Sequence, residues 1–294
     1  MGAFLFFIVF WATGYYSNAI GWVGFHALGE VVRALGGSLD ASAILPPAEG
    51  FNLKSFLLQL TMTGFVIFTC GIVLVKGLRK GIERASKWVV PTLFLILIVL
   101  ICRSVTLEGA REGIEWYIGG FRWRALTPSV MAAALGMAFF SMSLGGTFMV
   151  IYGSYLKRET DVPTVAVMTG ISASVAGLLA GFAIFPAVFA FGLEPASGPG
   201  LIFETLPKTF AMMPGGWVFG LLFFLGLFGA AYLSDVAAFE VLVGGIVDHW
   251  AVSRKRAVLF CCFTCFVLAI PPMINFKIFV PWDLTFGSGM QVVG

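Results

Sequence analysis

An all-α, polytopic bundle of membrane-spanning helices is the fold class the sequence predicts. Three observations carry it: 59% of the 294 residues are hydrophobic, only 11% are charged, and the apolar residues fall in long runs. Ordinary soluble domains carry roughly a quarter charged residues, and a helix needs about 20 apolar residues to cross the hydrocarbon core. Segments 89–102 and 218–231 are apolar on every side, whereas the strands of a membrane β-barrel would alternate polar and apolar positions.

Taken in order, the apolar runs predict seven spans, at about 3–35, 54–76, 87–103, 130–156, 163–192, 215–249 and 254–275. Several exceed the minimum length, so tilt or kinks are expected. Lys76, Arg79, Lys80, Arg84 and Lys87 cluster between the second and third spans, Lys157 and Arg158 after the fourth, and Arg254 to Arg256 before the seventh. Alternating the spans puts these clusters on one side. By the positive-inside rule, the loops at about 77–86, 157–162 and 250–256 are cytoplasmic, and segments 36–53, 104–129 and 193–214 are external. Within the last of these, Glu204 to Met212 reads either as a short capping helix or as a plain connection.

Met1 leads directly into apolar residues without a basic flank or cleavage site, and Asp283 to Gly294 begin an apolar stretch too short to cross. The sequence reads as cut at both ends. The net charge of +3 and the lack of basic runs interleaved with aromatics exclude a nucleic-acid partner. Cys70, Cys102, Cys261, Cys262 and Cys265 read as reduced packing residues, and His26 and His249 stand alone. No nucleophile with a base at plausible spacing, and no phosphate-cradling loop, points to an enzyme or an organic cofactor.

Polar groups inside the spans are the candidates for function. Ser141, Ser143, Gly145, Gly146 and Thr147 interrupt the fourth span. Glycine weakens a helical ladder and frees backbone carbonyls, so a broken helix is expected here. Gly177 and Gly181 instead fit close helix packing. Asp235 in the sixth span is costly at that depth and reads as either a functional acid or one bonded to a neighbouring helix. Tyr15, Tyr16, Ser17 and Asn18 form a polar patch in the first span, with Trp22 beyond it.

The run Lys76-Gly77-Leu78-Arg79-Lys80-Gly81-Ile82-Glu83-Arg84, closing with Pro91 to Phe94, resembles the first long intracellular loop of neurotransmitter:sodium symporters. Phe139 to Gly145, Tyr152 to Tyr155 and Ser253 to Ala257 resemble later family motifs in the right order. The resemblance covers essentially the whole chain, as a single transmembrane unit over 1–294. It implies a partial inverted-repeat, leucine-transporter-type fold running from the family's third helix to the start of its tenth.

The resemblance also implies roles. Tyr16 would hold a substrate carboxylate; Phe140, Ser141 and Ser143 would take substrate or a first sodium; Ala230 and Ser234 would hold a second sodium. Asp283 would belong to an external gate, and Asp248 and Tyr155 to an internal one. Ala173 and Leu233 stand where the family usually offers oxygen ligands, and Asp235 points about 200° around the helix from Leu233. Ala12, Gly146 and Ala238 stand where larger side chains are common, which implies a roomy pocket and a bulky amino acid. The function implied is a sodium-coupled symporter of amino acids or related amines working by alternating access, with membrane lipid around it and chloride dependence open. Two alternatives stay open: a proton-coupled or exchange transporter of the same fold, and a non-transporting sensor or assembly protein.

Overall fold

The computed structural model describes residues 2–76, 79–120, 122–144, 148–154, 156–196 and 198–289; within these the side chains of a few helical residues, Phe140 among them, are left undescribed. The described residues form helices α1 (Gly2–Ala34), α2 (Leu53–Val75), α3 (Arg79–Val105), α4 (Ala110–Gly119), α5 (Pro128–Ser141), α6 (Phe148–Ser154), α7 (Val162–Ala190), α8 (Leu206–Met212), α9 (Gly216–Trp250), α10 (Arg254–Ala269) and α11 (Phe276–Trp282). Among the described residues, five helices are long and apolar enough to cross a membrane, at 53–75, 86–105, 162–190, 216–250 and 254–273. Large apolar side chains such as Leu95, Val167 and Phe263 stay exposed on them, as a lipid-facing surface requires.

Helix boundaries follow local chemistry. Asn52 accepts from the backbone N–H groups of Lys54 and Ser55 to open α2, and Asn275 accepts from that of Ile278 to open α11. Asp161 caps α7, with Pro163 in the first turn where its missing N–H costs nothing. Ala251 takes a left-handed conformation (φ 51°) that ends α9.

The central helix is α1, which packs on α2, α9 and α10. One apolar cluster joins Val9, Phe10 and Ile20 to Cys70, Phe239, Leu242, Cys261 and Cys265; a second joins Trp22 and Phe25 to Phe203, Phe210, Phe224 and Phe279. The α1–α10 approach depends on Gly14, where a Cβ would lie 2.8 Å from the Cys265 carbonyl oxygen.

The polar patch of α1 anchors the bundle. Gln59 of α2 accepts at Oε1 from Asn18 Nδ2 and Trp22 Nε1 (both 3.1 Å) and donates from Nε2 to Ser55 Oγ and the Met273 carbonyl (both 3.0 Å). Thr63 Oγ1 donates to Asn18 Oδ1 at 3.2 Å. Lipid offers no hydrogen bonds, so these groups must satisfy one another.

Segment 104–129, read from the sequence only as external, holds α4, which packs on α7 through Gly113, where a Cβ would lie 2.6 Å from the Phe185 carbonyl oxygen. Of the two readings of 204–212 the short helix is the one that forms, as a π-helical turn over Leu201–Thr205 that continues into α8. One expectation is corrected: Gly181 does admit the Tyr117 ring, but a Cβ on Gly177 would meet nothing within 4 Å.

Candidate functional site

The fourth predicted span is two helices. Regular α5 stops at Ser141, Ser143 adopts a left-handed φ of 51°, and α6 covers the described residues Phe148–Ser154. A non-glycine residue in that region is uncommon and strained. The α5 half, at 14 residues, is too short to cross a bilayer alone.

The break opens onto a cavity of about 370 Å³, walled by α1 (Ala12, Thr13, Tyr15, Tyr16), by the α5–α6 region (Ser141, Ser143, Phe148, Met149, Tyr152) and by α9 (Ser234, Ala237, Ala238). Six residues to which the sequence assigned a site role therefore line one cavity, Ala12, Tyr16, Ser141, Ser143, Ser234 and Ala238, together with Tyr15 of the polar patch. Tyr16 of α1 and Ser234 of α9 both line it. Thr13 spends its hydroxyl on the Val9 carbonyl at 2.7 Å, so it offers the cavity mainly a methyl group.

Ala230 lies one turn before Ser234 on α9 and does not line the cavity. Asp283 does not line the cavity; it lies four positions after Phe279, whose ring meets that of Tyr15 with centroids 6.0 Å apart. Asp248 is exposed near the end of α9. Gly146 and Tyr155, and the side chain of Phe140, lie outside the described residues. Thr13, Tyr15, Phe148, Met149, Tyr152 and Ala237 were not anticipated as lining. Helical spacing was the available signal for one of them, because Tyr15 follows Ala12 by three positions and so shares a face with it.

Asp235 turns away from the cavity. It is fully buried between α1 and α2, where one carboxylate oxygen accepts from Ser17 Oγ at 2.9 Å and from Cys70 Sγ at 3.8 Å. Of its two sequence readings, the bond to a neighbouring helix is what the geometry contains. Glu240 likewise pairs with Arg254 of α10 (Oε1 to NH1 3.2 Å), which also donates to the Leu74 carbonyl at 2.9 Å. His26 Nδ1 contacts the Trp22 carbonyl at 2.8 Å, and no group of three or more potential metal-ligating side chains occurs among the described residues.

A larger cavity of about 1110 Å³ sits at the other end of α1, between Glu30, Arg33, Asp40, Glu204 and Lys208. The segment 201–212 forms part of its wall, as a cap over a vestibule would. Its ionic groups already answer one another in part, with Glu30 on Arg33 at 3.3 Å and Arg33 on the Phe210 carbonyl at 3.0 Å.

Comparison with known proteins agrees with this architecture. Residues 53–280 match the sodium:neurotransmitter symporter family. An uncharacterised sodium-dependent transporter of Haemophilus influenzae is 32% identical over 271 residues, covering 90% of this chain and 58% of its own length. The sodium-dependent transporter YhdH of Bacillus subtilis is 33% identical over 276 residues, covering 92% and 59%. This chain thus spans a little under three fifths of those relatives. Among solved structures, MhsT in complex with L-phenylalanine superposes with a TM-score of 0.84 at 30% identity, over 99% of this chain and 68% of that one.

Proposed function

Since the chain belongs to the sodium:neurotransmitter symporter family, we propose that it supplies the central wall of a sodium-coupled amino-acid transporter, residues 1–294 forming one transmembrane unit. It is a multi-pass membrane protein and not an enzyme. The loops at about 77–86, 157–162 and 250–256 face the cytoplasm in this reading, and the 1110 Å³ cavity opens outward.

The carrying observation is the cavity at the helix break. Seven of its lining residues bear hydroxyls, none bears a charge, and the interrupted segment follows Ser141 directly. A zwitterionic amino acid needs donors for its carboxylate and acceptors for its ammonium. Tyr16 serves the first need, while Ser141, Ser143 and the backbone at the break serve the second. Sodium is a hard cation that takes oxygen ligands. The Ser141 and Ser234 hydroxyls and the Ala230 carbonyl supply part of such a shell, whereas Ala173 and Leu233 supply no side-chain oxygen.

The substrate's side chain is bulky and apolar. Ala12 and Ala238 keep the wall back, and Met149 adds a flexible thioether that adapts to different shapes. A transporter is productive only if sodium and substrate bind the outward and inward states with different affinity, and the broken helix provides an element able to rearrange between them.

The test is labelled-substrate binding to the intact protein across a sodium titration, for the native chain and for Ser234→Ala. The reading expects sodium to raise affinity in the native protein and Ser234→Ala to shift half-saturation for sodium upward about tenfold, the loss of one good ligand to a cation. Binding that ignores sodium but follows pH would favour a proton-coupled or exchange transporter instead. Sodium-free behaviour of that kind is favoured by one observation, the missing oxygens at Ala173 and Leu233.

A further inference from the structure

We propose that Asp235 is a positioning residue: through its bond to Ser17 it fixes the directions in which Ser234 and Tyr16 face the cavity. This deepens the transport reading above and rests on it. Tyr16 and Ser234 both line the cavity. The next residue on each helix lies behind the wall, where Ser17 Oγ donates to Asp235 Oδ2 at 2.9 Å. Both of these residues are at 0% exposure. Consecutive helical residues point about 100° apart, so holding Ser17 against Asp235 sets where Tyr16 and Ser234 can point.

An acid is a costly way to make this contact. Its Oδ1 has no hydrogen-bond partner among the described residues, and Oδ2 receives besides Ser17 only the weak thiol donor of Cys70 on α2, at 3.8 Å. Ser17 Oγ also lies 2.9 Å from the Thr13 carbonyl, but that carbonyl has a backbone N–H partner within the helix, so the one hydroxyl proton is free to serve Asp235. Burying so poorly satisfied an acid at membrane depth is unfavourable, and an apolar side chain of similar bulk would pack between α1, α2 and α9 at less cost. Packing alone does not account for the acid. What it adds is direction.

On either side of this bond the contact between α1 and α9 is apolar. The Phe228 ring packs over Gly24, where a Cβ would lie 3.1 Å from it, and the Phe6 ring packs over Gly245, where a Cβ would lie 2.6 Å from it. Apolar contact is non-directional: it sets how closely the helices approach and leaves the rotation of α9 to the hydrogen bond. Groups that bind an ion or substrate must be held within about 0.5 Å and 10–20° of their productive geometry. A small rotation at Ser234 is therefore felt as lost affinity while the bundle stays packed.

The experiment titrates sodium against binding of labelled substrate to the intact protein and reads the melting temperature without sodium. Ser17→Ala and Asp235→Leu should each raise the sodium half-saturation roughly tenfold, on the order of one hydrogen bond to a charged group. Asp235→Asn keeps an oxygen for Ser17 and should stay within about threefold of the native protein. Ser17→Ala combined with Ser234→Ala should match Ser234→Ala alone, because the bond acts on sodium through that serine. Thr63→Val breaks only an α1–α2 bond, to Asn18, and should keep the native sodium half-saturation even where it melts lower. An unchanged half-saturation in Ser17→Ala, or effects of Ser17→Ala and Ser234→Ala that multiply, would overturn the proposal. So would an Asp235→Asn as weak as Asp235→Leu, since sodium would then be sensing the charge and not the bond. A native protein whose binding ignores sodium would instead overturn the sodium-coupled reading; the proposal is then judged on the substrate Kd of Ser17→Ala, severalfold weaker if the bond holds Tyr16 in place and unchanged if it does not.

Discussion

Replacing Gln59 with leucine should cost this fold more than any conservative change elsewhere on α2. The side chain sits at 0% exposure and makes four hydrogen bonds, two in each direction. Leucine matches its bulk but offers nothing to Asn18 Nδ2 or Trp22 Nε1, and both donors stay buried. Stranding a buried donor costs about 1–3 kcal/mol, so the pair predicts roughly 2–6 kcal/mol. Side-chain hydrogen bonds between membrane helices average only about 0.6 kcal/mol, so four of them predict about 2 kcal/mol. The two routes meet at about 2 kcal/mol. At about 2–4 °C per kcal/mol, melting of the detergent-solubilised protein should fall by roughly 4–10 °C. Thr61→Leu is the control, because Thr61 is exposed and its hydroxyl bonds only to its own helix, at Leu57 and Leu58; it should melt within about 1 °C of the native protein. Equal melting of the two variants would refute the reasoning.

Three further outcomes are expected. Ala238→Leu should push bulk into the 370 Å³ cavity and weaken competition by phenylalanine about 10- to 200-fold relative to alanine, since each methylene in an apolar pocket is worth about 1–3 kcal/mol; competition assays with both amino acids read this directly. Glu240→Ala should destabilise by about 1–3 kcal/mol, less than a fully buried pair because the Arg254 side chain is 34% exposed, with the loss visible as a lower melting temperature. Gly113→Val should separate α4 from α7, since a Cβ there meets backbone rather than a yielding side chain; a cost of about 1–3 kcal/mol is expected, with faster proteolysis within 106–127.

The fold was largely legible because a membrane span is a property of one segment: length and apolarity suffice, and the first, second, fifth and sixth predicted spans fall within two residues of α1, α2, α7 and α9. The break at Ser143 was legible for the same reason, since glycines and hydroxyls crowd there. The helix α4 was not, because its sequence, with Arg111, Glu112 and Glu115, looks like any solvated connection, and only the approach of Gly113 to α7 reveals its packing. In the site, the roles of Tyr16 and Ser234 came from the family resemblance, and the polar patch of the first span had already set Tyr15 beside Tyr16. The direction of Asp235 was harder to foresee: a buried acid one position from a cavity residue could face either way. The partners that decide it, Ser17 and Cys70, lie 218 and 165 positions away along the chain. Thr13 and Met149 were missed because neither side chain announces chemistry.

Uptake of a labelled hydrophobic amino acid into proteoliposomes holding the intact protein, with and without an inward sodium gradient at fixed pH, tests the central claim most directly. The account predicts accumulation above equilibrium that requires the sodium gradient and is abolished by collapsing it. Accumulation of the same size without sodium, or none in protein that still binds substrate, would contradict it.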